Sequence, residues 1–292
     1  MLTPLPAPRS APAVRSAVTA AYARLTEALP VLTVTELPED TPLPATDGWV
    51  TAADLAENAT ALDAFLAWDD EQVLRDKARK GRPDVIAGFG LHRYAWPACL
   101  LFTAPWFLHR RVPRYPVTHV SYDRTRGPMS LAVHPGRFAC LPGDPAAALP
   151  GAYTVPDEES LRAELRDAVA EHMEPLLAAF GPRMRRRGRA LWGMVTDEIV
   201  EGIWYVAGLL GEHEKRRAEH ALELLLLGTT KPYVGSPGLP RAGPVRTAGR
   251  CSSRTRVSCC MYYTLIRSNS CVTCPRTCDT DRIAKLTAAA AS

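Results

Sequence analysis

Six of the eight cysteines of this 292-residue chain fall between Cys251 and Cys278. Inside that stretch Cys259 and Cys260 are adjacent, ten residues follow, and Cys271 and Cys274 close the pattern with two residues between them. Thiolates are soft ligands that suit iron–sulfur clusters, zinc and Cu(I). A two-residue spacer lets Cys271 and Cys274 curl around one metal atom. Cys259 and Cys260 would diverge in a regular strand, but in an irregular turn both sulfurs can approach a shared, extended object. Zinc ribbons usually use two C-x2-C knuckles or add histidine, whereas here one knuckle is a contiguous pair and no histidine follows His220. A two-iron cluster offers metal atoms at separate positions and accepts such a pair more readily. The spacing therefore points to a [2Fe–2S] cluster on Cys259, Cys260, Cys271 and Cys274, with Cys251 and Cys278 as spectators. Structural zinc stays open, as does a different cluster using Cys271, Cys274 and Cys278, although the C-x2-C-x2-C-x3-C-P run is absent. Disulfides fit poorly with a long cysteine-poor body that ends in a dense cysteine segment.

Other chemistries find little footing. Gly88-Phe89-Gly90 is a lone glycine pair rather than a dinucleotide fingerprint, and no P-loop, G-x-S-x-G elbow or H-E-x-x-H occurs. His92, His109, His119 and His134 have no firm metal spacing. The formal charge of +4 is small for the length and gives no reason to expect a nucleic-acid partner. The longest apolar stretch, Trp96 to Leu108, holds Pro97 and Pro105 and falls short of the ~20 residues that span a bilayer. With no apolar leader near Met1, a cytoplasmic protein without transmembrane helices is expected, peripheral membrane contact being left open. The run Arg183, Arg185, Arg186, Arg187, Arg189 reads as a solvated face.

The elements that must position the cysteines are mostly helical. Apolar spacing predicts helices over 13–29, from Thr51 as N-cap with Leu55, Leu62 and Phe65 on one face, over 70–78, over 85–111 with its prolines interrupting or ending it, and over 157–180, 189–210 and 212–227. Residues 30–47 read as an extended connection. Residues 117–122, 129–133 and 138–141 alternate as short strands. The expected fold is α+β: a helix-rich body with a small antiparallel sheet and a C-terminal iron–sulfur-binding segment. The expected organisation is a mobile N-terminal segment with one helix (1–48), the body (49–242), and the cluster-binding segment (243–292), entered through a Gly/Pro-rich linker and closed by a short helix over 281–291.

The residues Cys259-Cys260-Met261-Tyr262-Tyr263 and Cys271-Val272-Thr273-Cys274-Pro275 resemble the C-terminal signature of the ferric-siderophore reductase (FhuF-like) family, C-C-x10-C-x2-C. Arg256 before the pair is similar too, as are Leu191-Trp192-Gly193 with Asp197, and the apolar segment around Tyr94, Ala95 and Trp96. The resemblance spans roughly residues 85–280. The chain departs from it at Arg267-Ser268-Asn269-Ser270, where members often carry glycines, and at Met261-Tyr262-Tyr263-Thr264, where Leu-Tyr-Tyr-Arg is common. The resemblance implies an oxidoreductase that reduces siderophore-bound Fe(III) to Fe(II), with a hydroxamate-type siderophore as substrate. Electrons would come from an external donor such as a ferredoxin or a separate reductase. Trp96, Trp192 and Arg256 become candidates for contact with the substrate. The alternative is a non-catalytic siderophore-binding or structural zinc protein whose cysteines only staple the C-terminus.

Overall fold

The structure, a computed structural model, describes residues 15–125, 127–228, 230–236, 238, 254–265 and 271–290. Cys251, the proline-rich start, most of the 239–250 linker and the tip at 266–270 lie outside the described residues.

The fold is α+β with a helix-rich body. Helices α1 (Thr19–Ala28), α2 (Ala52–Glu57), α3 (Ala59–Lys77), α4 (Pro83–His109), α5 (Glu158–Met184), α6 (Gly188–Leu210) and α7 (Glu212–Leu225) build it, and α8 (Asp279–Ala290) follows the cysteines. Thr51 caps α2 as expected, its hydroxyl accepting from the Asp54 N–H at 2.9 Å. The single helix expected to carry Leu55, Leu62 and Phe65 is in fact two. Asn58 takes an extended conformation and caps α3 through its side chain, a position this residue favours.

The strands form two small mixed sheets among the described residues, in place of one antiparallel sheet. The first has the order β1 (Leu32–Glu36), β5 (Met129–Val133), β4 (Val120–Asp123), β2 (Val50–Thr51); the second has β3 (Arg111–Pro113), β6 (Phe138–Cys140), β7 (Ala152–Thr154). Pairing of β1 with β5 and of β6 with β7 is parallel. Strand β1 lies in the segment read as a connection. Through β1 and the buried Tyr22 and Leu25 of α1, residues 19–36 pack into the body.

Helix α4 runs unbroken through Pro97 and Pro105 at the centre of the core, packed against α5 and α6. A proline inside a helix strips the carbonyl four residues earlier of its donor. Both freed carbonyls are recaptured from outside: the Tyr122 hydroxyl donates to Arg93 C=O at 2.9 Å, and the Tyr22 hydroxyl donates to Leu101 C=O at 2.8 Å. The expectation that prolines would break this helix fails for that reason. No helix of the described residues is long and apolar enough to cross a membrane.

Two outcomes follow. Tyr122→Phe and Tyr22→Phe each leave a buried carbonyl without a donor, and each is expected to lower unfolding free energy by about 1–3 kcal/mol in urea melts. His172 is fully buried, donates from Nδ1 to Tyr115 C=O at 2.8 Å and accepts from the Tyr94 hydroxyl at 2.8 Å. Burial pushes its pKa down to about 4, against about 6.5 in the unfolded chain. Above pH 6.5 both states are neutral there and nothing is lost. Between pH 6.5 and 4 the unfolded chain takes a proton that the folded one refuses, so stability falls by about 3 kcal/mol in all. His172→Gln is expected to flatten that slope in melts compared at pH 7, 5.5 and 4.5.

Candidate functional site

The cysteine segment is irregular coil, so its shape comes from what grips it. The grip is an acidic patch on α6. Asp197 and Glu198 are fully buried within an otherwise apolar helix, a placement that requires partners. The Asp197 carboxylate accepts from Val257 N–H (2.8 Å), Ser258 N–H (2.8 Å), the Ser258 hydroxyl (2.7 Å) and Arg254 Nη1 (3.1 Å). Arg254, itself buried, also donates to Asp197 C=O at 2.9 Å and to Glu201 at 2.7 Å.

Arg256 and His92 complete the patch. Arg256 Nη2 donates to Glu198 Oε1 at 2.7 Å, and its Nε sits 3.6 Å from Asp197 Oδ2, a charge contact only. His92 Nδ1 lies 2.8 Å from Glu198 Oε1, close enough for charge attraction but without hydrogen-bond alignment. Burial works against both charged forms. The charges override it: His92 and Arg256 hold Glu198 below the usual carboxylate range, and Glu198 raises His92 above the ordinary histidine value. Three acids, Asp197, Glu198 and Glu201, thus face Arg254, Arg256 and an imidazole biased toward its cation.

Close approach of the segment to α6 uses Gly193. A Cβ there would stand 3.3 Å from Val257 Cγ1 and 3.7 Å from Ser258 Cβ, so a longer side chain would displace the segment. On its other flank the segment packs on the start of α4. Leu265 joins Val73, Val85, Ile86 and Phe89 in a small apolar cluster, and the Tyr262 ring sits 6.0 Å from that of Phe89. Arg256 N–H donates to Thr273 C=O at 2.8 Å, tying the strand before the first cysteine pair to the loop of the second. Arg282 of α8 donates to Val272 C=O at 2.9 Å and to Thr277 C=O at 3.1 Å, closing that loop from below.

These contacts bring the four predicted cysteines together as two pairs. Cys259 is within hydrogen-bonding reach of Cys274, and Cys260 of Cys271. All four are free thiols; Cys274 is buried and the others are half-buried, while Cys278 is exposed. Backbone donors point at the sulfurs. Met261, in a left-handed conformation at φ 60°, donates its N–H to Cys259 Sγ at 3.4 Å, and Arg276 N–H donates to Cys274 Sγ at 3.4 Å. The Cys271 thiol donates to Cys260, which lowers the Cys260 pKa to about 6 with the Arg256 and His92 charges assisting; the same proton is held more tightly on Cys271. Burial raises Cys259.

Among the described residues no three His, Cys, Asp or Glu side chains gather as a site that could hold a metal ion.

The predicted substrate contacts are each engaged within the chain. Arg256 is 9% exposed and engaged by Glu198. Trp96 packs edge-on against Tyr205, and Trp192 edge-on against Tyr233. Sequence reasoning missed Glu198, Arg254 and His92. The available signal was the acid pair Asp197-Glu198 inside an apolar helix, which has to be answered by cations from another part of the chain. Of the basic run, Arg183 is paired with Asp63 at 2.7 Å.

Asp197→Ala would leave Arg254 buried without its main partner and two N–H groups without an acceptor, a loss on the order of 3–5 kcal/mol. The segment 254–265 is expected to lose amide protection in hydrogen exchange by about a hundredfold or more, while α4 and α5 keep theirs. Comparison with known proteins adds no relative: no family model matches the chain, and no curated protein matches it.

Proposed function

We propose that this chain is an iron–sulfur oxidoreductase that reduces Fe(III) held by a siderophore, of hydroxamate type, to Fe(II). Cys259 with Cys274, and Cys260 with Cys271, are the two halves of a [2Fe–2S] ligand set. What carries the reading is the two-and-two pairing of free thiols, half-buried at the end of the chain. Bound there, such a cluster supplies one electron at a time.

The chain's own residues do the rest. Asp197 fixes where the first pair stands, since its carboxylate holds the two N–H groups just before Cys259. The Cys271 thiol, with the Arg256 and His92 charges assisting, favours thiolate at Cys260, the form a metal takes. The N–H groups of Met261 and Arg276 donate to sulfur, an arrangement that raises the reduction potential of thiolate-bound iron. Half-exposure of three of the sulfurs leaves an edge at which a donor and a ferric chelate can approach.

The chemistry balances with a one-electron donor such as a ferredoxin or a separate reductase. One electron enters the chelated Fe(III), which becomes Fe(II). Hydroxamate oxygens are hard donors that hold Fe(II) less firmly than Fe(III), so the ligand takes up protons and releases the metal. Arg256 belongs to the anchor in this reading. Trp96 and Trp192 remain the aromatic candidates for the chelate.

The anaerobically purified protein is expected to be brown, to carry two irons and two acid-labile sulfides per chain, and to bleach on reduction. Serine at any one of Cys259, Cys260, Cys271 or Cys274 should remove or shift the visible bands, and Cys278→Ser should not. The reduced protein mixed with a ferric hydroxamate should release Fe(II) to a ferrous trap. A colourless protein holding stoichiometric zinc would overturn the reading in favour of a structural staple.

A further inference from the structure

A second site lies apart from the cysteines, between α3 and the edge of the first sheet. A cavity of about 370 Å³ opens there, walled by Trp49, Phe65, Trp68 and Tyr122 with Arg124 at its floor. That volume suits a ligand of one or two rings, and aromatic walls with one placed charge are the usual composition of small-molecule pockets.

Arg124 is the unusual member. It is 7% exposed, and its guanidinium lies 3.9 Å from the Phe65 ring centre and 4.7 Å from that of Trp68. Nη2 donates to Asp69 Oδ2 at 2.6 Å and to Phe65 C=O at 3.2 Å. Nη1 is buried and has no hydrogen-bond partner. Asp69 is fully buried and is also paired with Arg93, so two guanidiniums share one carboxylate. Of the acids at the cavity, Asp54 lines its wall and accepts from the Thr51 hydroxyl, and Asp123 accepts from the N–H and hydroxyl of Thr125. Burial lowers the Arg124 pKa, which marks a cation short of compensation. A buried cation is costly, and an anion entering the cavity would offset that cost by charge attraction.

We propose that this cavity binds a small planar aromatic carboxylate, whose charge is attracted by the Arg124 guanidinium and whose ring packs among the aromatic walls. A single guanidinium already paired with Asp69 suits a monoanion better than a phosphate dianion. At the rim, Gly48 has φ +97° and a Cβ there would stand 2.0 Å from Thr125 Oγ1; only glycine lets the 45–50 loop close this tightly over the opening. The inference rests on no property of the cysteine segment.

The test uses the full chain titrated with 1-naphthoate, followed by calorimetry and by tryptophan fluorescence, since Trp49 and Trp68 line the cavity. One saturable site is expected, with the uncharged 1-naphthamide binding about tenfold or more weakly, the ratio that one charge-assisted hydrogen bond provides. Arg124→Met removes the donor while Arg93 continues to pair Asp69, and should abolish the preference for the acid. Ala61→Phe fills the cavity from α3 and should abolish binding of both. Either variant, shown folded by circular dichroism, suffices. Absence of saturable binding to the wild-type chain, equal affinity for acid and amide, or wild-type binding by a folded variant would each overturn the proposal.

Discussion

Everything about the cysteine site depends on one buried carboxylate. Among the described residues, the segment that carries the thiols has no strand pairing with the body and a small apolar cluster on one flank. Left to itself such a coil would sample many arrangements, and ordering it costs about 1–2 kcal/mol per residue in backbone entropy alone. Asp197 offsets this by accepting from two consecutive backbone N–H groups, a hydroxyl and a guanidinium at once. Four donors exhaust the lone pairs of a carboxylate, so its burial is compensated only when the segment is docked in this register. A shift of one residue would move both N–H groups away and expose the full desolvation cost of the charge. Specificity of placement thus comes from a group that would be strongly destabilising without its partners.

The same logic of recaptured polar groups explains the helix beneath. Helix α4 has to be apolar and straight to serve as the core of the body, yet it contains Pro97 and Pro105. Two tyrosines from different elements, Tyr22 of α1 and Tyr122 of β4, supply the hydroxyls that its freed carbonyls need. The helix is therefore continuous because of what packs on it, and its N-terminal half can present Phe89 to Tyr262, His92 to Glu198 and Arg93 to Asp69.

The parts that were legible in the sequence were those with local causes. Helices α5, α6 and α7 follow from apolar spacing, and α2 from Thr51. The parts that were hidden have causes distant in the chain. Strand β1 reads as a connection because its pairing partner, β5, lies about a hundred residues on. Pro97 and Pro105 read as breaks because a local rule cannot see a tyrosine hydroxyl arriving from elsewhere. Asp69 adjoins the charged stretch 70–78, and Arg93 and Arg124 make its burial tolerable. Arg256 read as a cation free to meet a substrate, because spacing gives a residue type near the cysteines but not the direction in which it points.

Anchor and sulfur site share the same charges. Arg256 and His92 are drawn in by Glu198, and from there both bias Cys260 toward thiolate. A mutation meant to change the field at the sulfurs will therefore also change how the segment is held, and the two effects separate only in pairs of substitutions compared with each single one. The cavity at Arg124 stands outside this circuit, although α4 touches both. His92 and Arg93 are neighbours in sequence, yet one faces Glu198 and the other Asp69. Coupling the two sites would need an element with a second packed arrangement that both could bias. Helix α4 is the shared element, and its carbonyls at Arg93 and Leu101 are each fixed by a tyrosine from a separate part of the core. Rotating the helix to favour one site would break those contacts, so the fold holds the two sites at constant spacing.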